Sequence, residues 1–174
     1  MKIGDTIPAF TLIGTDDRQH SPSDFTGKPT LLIITCNHCP HARAYVSRIR
    51  GIHEQFSDRV GFLAINPNDP VRYPEDSFDN MKPMAEALGI NGFYLFDETQ
   101  DVARALGAQR TPEAFLFDAD GQLVYNGAID DNEREPQQVT KRYLEDAISA
   151  VLSGQEVAVK ETQPVGCSVK WRNG

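Results

Sequence analysis

The chain has 174 residues, of which 40% are hydrophobic and 24% charged, and this composition indicates a folded globular protein. Its 25 acidic and 17 basic residues give a formal net charge of −8. A nucleic-acid partner is not expected, because binding a polyanion needs a basic face and the basic residues are scattered. No apolar run is long enough to cross a membrane, so no membrane partner is expected. The first ten residues lack the apolar core of a secretory signal, which predicts a cytoplasmic location.

The pattern of apolar and polar residues predicts strands and helices that alternate along the chain. The predicted strands are 9–14, 29–35, 60–66, 94–96, 113–118 and 122–126, and the predicted helices are 39–56, 78–88, 99–106 and 137–152. The tail from 155 to 174 shows no clear period. This order predicts an α/β fold whose mixed central sheet is flanked by helices on both faces.

Three cysteines stand at informative places in this pattern. Cys36 and Cys39 form a C-x-x-C where the apolar strand at 29–35 gives way to a helix, and Cys167 lies in the tail. An odd number of cysteines leaves at least one thiol free. In a chain without a secretory signal, the C-x-x-C points to redox chemistry or metal binding rather than to a structural disulfide.

A position at a helix N-terminus should make Cys36 reactive. The unpaired N–H groups and the helix dipole stabilise a thiolate there, and they lower the pKa of the thiol. His38, as an imidazolium, would add to this effect. We therefore expect Cys36 to be the more exposed and more acidic thiol, and Cys39 to close a disulfide with it.

Two alternatives to redox chemistry remain open at this motif. Both cysteines could be small buried residues without a chemical role. A metal site would use Cys36, His38, Cys39 and His41, but four ligands on one helical turn diverge and cannot surround a tetrahedral ion. We therefore predict no metal and no other cofactor.

The ordered motifs of the chain resemble the thioredoxin-like superfamily. The segments CNHCP, YPEDSFDNMK, TPEAFLFD, YNGAIDDN and PVGCSVKW are similar to pieces that recur in the redoxin group of stand-alone bacterial thioredoxin-like proteins, the AhpC/TSA and TlpA-like proteins. The resemblance implies a thioredoxin fold in one domain spanning 1–174. It also implies an N-terminal β-hairpin extension at 1–28, a core at 29–153 and a C-terminal tail at 154–174.

The same resemblance implies roles for particular residues. Cys36 would be the attacking cysteine and Cys39 the resolving one. Pro112 would be a cis-proline facing the pair, and Thr111 would offer its backbone to an extended substrate segment. The implied activity is that of a thiol–disulfide oxidoreductase acting on protein or small-molecule disulfides, with an electron donor that the sequence does not identify.

Two positions depart from related patterns. Thioredoxin has a buried aspartate six residues before its first active-site cysteine, whereas this chain has Thr30 there, and Glu113 is a candidate replacement. Peroxiredoxins carry a hydroxyl residue three positions before their cysteine, whereas this chain has Ile33. Ile33 argues against a thiol peroxidase, which remains an alternative function, as does a non-catalytic redox-sensing or metal-binding module.

Cys167 admits two roles. A mobile tail cysteine could resolve an oxidised Cys36, as a peroxidase would need. A small residue packed beside Trp171 needs no chemistry, and buried free cysteines are common. We expect the packing role, because exchange by a C-x-x-C requires no third thiol.

Overall fold

The computed structural model describes residues 1–173. The strands are Leu12–Gly14 (β1), Gln19–His20 (β2), Thr30–Ile34 (β3), Gly61–Asn66 (β4), Tyr94–Phe96 (β5), Arg110–Thr111 (β6), Glu113–Phe117 (β7), Leu123–Gly127 (β8) and Cys167–Ser168 (β9). The α-helices are Pro40–Ala44 (α1), Val46–Phe56 (α2), Met81–Leu88 (α3), Asp101–Leu106 (α4) and Tyr143–Leu152 (α5). The α/β class predicted from the sequence is confirmed.

Most of these strands form one mixed sheet with the order β2-β1-β5-β4-β3-β7-β8. Strand β3 lies inside this sheet, parallel to β4 on one side and antiparallel to β7 on the other. Every residue of β3, β4 and β7 is buried. A strand that is covered on both faces reads as a continuous apolar run, which is why the segment at 29–35 could be recognised.

The sheet separates two hydrophobic clusters, because successive side chains of a strand point to opposite faces. Leu31 and Ile33 of β3 lie in the cluster that helices α2, α3 and α5 cover. Leu32 and Ile34 lie in the cluster that α4, the N-terminal residues and Trp171 cover. The helices therefore hold β3 from both sides, and the residues that follow β3 begin from a rigid element.

The N-terminal hairpin joins the edge of the main sheet. Strands β1 and β2 pair with each other, and β1 also pairs with β5, where Ile13 lies opposite Phe96. A Cβ atom at Gly14 would lie 2.1 Å from the carbonyl oxygen of Gly92, so this close approach requires glycine. The strand begins at Leu12 rather than at the predicted residue 9.

Two of the four predicted helices differ from the observed ones by more than three residues or by a break. The helix predicted at 39–56 is divided at Tyr45, whose backbone N–H bonds to the carbonyl of Ala42 three residues earlier, and this bond tightens the turn. The helix predicted from 137 begins at Tyr143, because Asp131 accepts hydrogen bonds from the backbone and hydroxyl of Thr140 and holds that segment out of the helix.

The C-terminal tail contains strand β9, which pairs with β6 in a separate small sheet. The sequence showed no period here, since two residues are too few to show one. The assignment of 1–174 to one domain, with boundaries at 28/29 and 153/154, stays a prediction, and Gly174 lies outside the described residues. Across residues 1–173, no helix is long and apolar enough to span a membrane.

Truncating Ile33 tests the central position of β3. The side chain is fully buried and lies opposite Ala64 and Ala114, so Ile33→Ala leaves a cavity that the rigid sheet cannot close. We expect the free energy of unfolding to fall by about 2–5 kcal/mol, measured by denaturant titration under reducing conditions. The control Val71→Ala, at a side chain that is 81% exposed, should change it by less than about 0.5 kcal/mol. Equal effects at both positions would contradict the assigned core.

Candidate active site

The C-x-x-C loop lies at the carboxyl end of β3, beside the ends of the parallel strands β4 and β5. Helix α1 begins at Pro40, and Cys39 is the residue immediately before it. The prediction that Cys36 lies at the helix N-terminus is therefore wrong by one turn. Pro40 lacks a backbone N–H and is favoured at the first helical position, which places the start of the helix after the motif.

The carboxylate of Asp76 binds the backbone of the C-x-x-C loop. Its Oδ1 atom accepts hydrogen bonds from the backbone N–H groups of Asn37 at 2.8 Å and His38 at 3.1 Å. Its Oδ2 atom accepts a bond from the side chain of Asn68 at 2.8 Å and lies 2.5 Å from Nδ1 of His38. Asp76 is fully buried, and buried carboxylates are stable only with such partners.

The side chain of Asn37 fastens the same loop at further points. It donates to the carbonyl oxygen of Glu75 at 3.0 Å, and its Oδ1 accepts a bond from the hydroxyl of Tyr94 at 2.8 Å. Arg43 donates to the Asn37 carbonyl at 2.9 Å. The backbone between the two cysteines is thus fixed by partners from three other segments of the chain.

The ring of His38 contacts Asp76 and is also partly exposed to solvent. Its ring stacks on Tyr73, with centroids 5.6 Å apart and an interplanar angle of 11°. The contact between Nδ1 and Asp76 sets the orientation of the ring. A protonated His38 would offset the negative charge that Asp76 places beside Cys36.

Thr111, the residue before Pro112, contacts both cysteines of the motif. The Thr111–Pro112 peptide bond is cis, as the resemblance implied. The Sγ atom of Cys36 lies 3.5 Å from the Thr111 hydroxyl, and the Sγ atom of Cys39 lies 3.7 Å from the Thr111 carbonyl oxygen. One residue of strand β6 therefore contacts both sulfur atoms.

Cys36 is neither exposed nor acidic in this structure, which corrects the prediction from the sequence. Its side chain is fully buried, as is that of Cys39. Burial raises the pKa of the Cys36 thiol to about 11, and the negative charge of Asp76 adds to the rise. Hydrogen bonds from Thr111 and from the backbone of Cys39 and His38 lower the pKa by less.

The disulfide of this structure joins Cys39 to Cys167, and Cys36 remains a free thiol. The Cα atoms of Cys39 and Cys167 are 6.4 Å apart, within the range that a disulfide allows. The expected Cys36–Cys39 bond is therefore not the one observed, and the expectation that Cys167 only packs is wrong here. The tail brings Cys167 to the motif because β9 pairs with β6, which sequence patterns did not reveal.

Glu113 is buried next to Pro112 but bonds to other groups. Its Oε1 atom accepts hydrogen bonds from the backbone N–H groups of Gln109 and Arg110, and its Oε2 atom accepts one from the side chain of Asn126. None of these three bonds goes to a cysteine sulfur. The carboxylate braces the backbone that leads into Thr111, and its proposed part in proton transfer remains a prediction.

Cys36, His38 and Asp76 are the described residues whose metal-binding atoms come together, all within 4.8 Å of one another. The oxygen atoms of Asp76 are already occupied, since each has two partners among Asn37, His38 and Asn68. The donor set thus serves as a hydrogen-bond network that fixes the loop, and the fit to a metal ion is poor.

Asp76 is the residue of this site that the sequence prediction missed. The segment YPEDSFDNMK was noted for its resemblance, but no role was assigned to its acidic residues. A signal was present, because the segment follows β4, and polar groups after parallel strands gather at the carboxyl edge of the sheet. Of the acidic residues 75, 76 and 79, only Asp76 is buried, which the sequence does not reveal.

Comparisons with known proteins agree with this architecture. Residues 2–144 match the family model of the redoxins. A structure described as an uncharacterized conserved protein from Geobacillus kaustophilus is 36% identical to this chain and has a TM-score of 0.92. The match covers 99% of this chain and 94% of that chain. The chain belongs to the redoxin family.

Two further comparisons extend this assignment. The solution structure of a thioredoxin-like protein in its oxidized form has a TM-score of 0.72 at 19% identity, with 90% of this chain and all of that chain covered. This likeness establishes the thioredoxin fold. The thiol:disulfide interchange protein DsbE of Vibrio cholerae is 28% identical over 140 residues, which cover 78% of this chain and 70% of that protein.

The pH dependence of Cys36 alkylation tests the burial of this thiol. Only the thiolate reacts, so a pKa of about 11 makes the rate rise about tenfold per pH unit through neutral and mildly alkaline pH. The measurement uses a Cys39→Ser/Cys167→Ser protein, in which Cys36 is the remaining cysteine. A rate that is already constant near neutral pH would contradict the raised pKa.

Replacing Asp76 by asparagine tests the electrostatic part of the rise. Asp76→Asn removes the negative charge beside Cys36, so the pKa of the thiol falls and its alkylation at a fixed pH below that pKa becomes faster. Asp79→Asn, an exposed acidic residue three positions later, should leave the rate unchanged. Circular dichroism of both variants separates this effect from unfolding, and an unchanged rate in a folded Asp76→Asn protein would contradict it.

Proposed function

We propose that this redoxin is a thiol–disulfide oxidoreductase in which Cys36 and Cys39 exchange electrons with a substrate disulfide. The observation that carries the proposal is the meeting of both sulfur atoms at Thr111, beside the cis-proline, on a loop that Asp76 immobilises. The similarity to a thiol:disulfide interchange protein of Vibrio cholerae supports the same chemistry.

The first step is attack by Cys36. With Cys36 and Cys39 both reduced, Cys36 loses its proton and its thiolate attacks one sulfur of the substrate disulfide. A bond forms between Cys36 and that sulfur, the substrate disulfide breaks, and the other substrate sulfur leaves as a thiolate that takes up a proton. The Thr111 hydroxyl, 3.5 Å from the Cys36 sulfur, is placed to hydrogen-bond the thiolate.

The second step is resolution by Cys39. Its thiolate attacks the Cys36 sulfur of the mixed disulfide, which forms a Cys36–Cys39 disulfide and releases the second substrate thiol. Two electrons have then passed from the chain to the substrate. A dithiol donor, which the structure does not identify, must restore the reduced pair by the reverse exchange.

Four further residues support this chemistry in the proposal. Thr111 and Pro112 form the substrate-binding edge, since an extended segment paired with β6 would bring its own cysteine to the two sulfurs. His38 tunes the charge beside Cys36, and Glu113 holds the segment before Thr111. Protein disulfides suit this edge better than small-molecule disulfides, because only a protein supplies an extended segment. A cytoplasmic location remains a prediction.

Serine substitutions assign the two cysteines. Cys36→Ser should abolish the acceleration of insulin reduction by dithiothreitol that the wild type gives, because the proposed attacking sulfur is missing. Cys39→Ser should accumulate a mixed disulfide through Cys36, since the resolving thiol is missing. Turbidity of the precipitating insulin chains reports the first effect, and non-reducing mass spectrometry reports the second.

Ser47→Ala, at an exposed position on α2, serves as the control and should match the wild type in both assays. Hydrogen peroxide consumption by the same proteins separates disulfide exchange from the peroxidase alternative. Insulin reduction by Cys36→Ser at the wild-type rate, above the rate with dithiothreitol alone, would overturn the assignment of the attacking cysteine. Rapid peroxide turnover with no insulin reduction by the wild type would instead favour a thiol peroxidase.

A further inference from the structure

The tail lies along β6, the edge to which the proposed function assigns a disulfide substrate. Strand β9 pairs antiparallel with β6, so that Cys167 is directly opposite Thr111, the residue that contacts both active-site sulfurs. Short strand edges are bound by extended segments through backbone hydrogen bonds. In this structure the chain supplies that segment itself, and the segment carries a cysteine at the position nearest to the pair.

The approach of the tail to Thr111 is closer than most residues allow. A Cβ atom at Gly166 would lie 2.1 Å from the Thr111 carbonyl oxygen and 2.7 Å from its carbonyl carbon. Backbone atoms cannot move aside as the end of a flexible side chain can, so any other residue at 166 would push the tail off β6. Glycine just before Cys167 thus permits the pairing.

The tail is held on both sides of this contact. Before it, the hydroxyl of Thr162 accepts a hydrogen bond from the backbone N–H of Ala128 and bonds to the Tyr125 hydroxyl. After it, the Val169 N–H donates to the Gln109 carbonyl, and Gln100 donates to the Lys170 carbonyl. Residues 163–168 are the span between these anchors, and they include the strand that pairs with β6.

The burial of the sulfur atoms also indicates that the tail covers the site. Cys36 and Cys39 are fully buried, whereas Cys167 is partly exposed and packs against the cluster that they form with Ala42. An external disulfide cannot contact the buried pair while the tail is in place. The burial that raises the pKa of Cys36 belongs to this covered state.

We propose that Cys167 is a third redox-active cysteine, carried by a tail strand that occupies the site of a cysteine-bearing protein segment and competes with it. This inference rests on the proposed function and adds to it the form of the substrate, which is an extended segment antiparallel to β6. The internal strand and an external one cannot both pair with Thr111.

The exchange that connects the two disulfide states needs no outside oxidant. Starting from the observed state, Cys36 loses a proton and its thiolate attacks the Cys39 sulfur. The Cys36–Cys39 bond forms, the Cys39–Cys167 bond breaks, and Cys167 leaves as a thiolate that takes up a proton. The number of disulfides is unchanged, and the tail is no longer covalently attached to the site.

Gly166→Ala tests the competition without changing a cysteine. The added methyl group displaces β9 from Thr111, so the fraction of molecules with an open site rises and the apparent affinity for protein substrate rises in proportion. We expect the KM for insulin to fall at least about fivefold with little change in kcat. Gly51→Ala, where a Cβ atom meets nothing within 4 Å, is the matched control and should leave KM unchanged.

Tryptic mapping of the oxidised proteins gives a readout that does not need activity. Cys36 and Cys39 fall in peptide 19–43 and Cys167 falls in peptide 161–170. The wild type should yield these two peptides joined, and Gly166→Ala should yield peptide 19–43 closed on itself. A wild type with Cys167 always free would overturn the proposal, even if Gly166→Ala does not fold.

The two proposals fail in different ways. If the wild type reduces insulin while folded Gly166→Ala keeps the wild-type KM and the joined peptides, the tail proposal is wrong and the proposed function stands. If the wild type does not reduce insulin but its peptides 19–43 and 161–170 are joined, the proposed function is wrong. In that second case the pairing of Cys167 with the site stands.

Discussion

The carboxylate of Asp76 accepts hydrogen bonds from two consecutive backbone amides of the C-x-x-C loop, in a place that water does not reach. Removing a partner from a buried charged group costs more free energy than an ordinary hydrogen bond provides, so the loop and the segment that carries Asp76 are held together. The same charge acts on Cys36 and raises the pKa of its thiol, in addition to the effect of burial. Asp76 therefore contributes both to the position of the loop and to the pKa of Cys36.

The directions of the strands in the sheet bring the segments of the site together at one edge. Strands β3 and β4 run parallel, so the cysteine loop after β3 and Asn68 after β4 emerge at one edge, where Asn68 reaches Asp76. Strand β7 runs antiparallel to β3, which brings the residues before β7, including Thr111 and Pro112, back to that edge. Glu113, buried at the start of β7, fixes the approach of this segment through the amides of Gln109 and Arg110. The two sulfur atoms thus contact Thr111, whose preceding backbone is held in place by Glu113.

Local patterns predicted the main elements of the core. The buried strands β3 and β4 read as apolar runs. The glycines at 89 and 107, in left-handed conformations, end α3 and α4. The expected roles of Cys36 and Cys39 came from the C-x-x-C at the end of an apolar strand and from resemblance, and the cis-proline came from resemblance alone. What could not be predicted depends on long-range contacts. The burial that raises the pKa of Cys36, the selection of Asp76 among several acidic residues, and the pairing of Cys167 with Thr111 all arise only when distant segments meet. The C-x-x-C after an apolar strand suggested that Cys36 lies at a helix terminus, whereas the helix begins at Pro40. Burial and the charge of Asp76 instead raise the pKa of the Cys36 thiol.

We propose that Cys39 is the shared member of two interchangeable disulfides, with Cys36 on one side and Cys167 on the other. The most direct measurement is the disulfide map of the wild type after equilibration in glutathione buffers of increasing oxidising strength. Because the exchange between the two links transfers no net electrons, the ratio of Cys36–Cys39 to Cys39–Cys167 should stay constant while their sum increases. A ratio that changes with the redox poise, or an intramolecular disulfide that leaves Cys39 as a free thiol, would contradict this account.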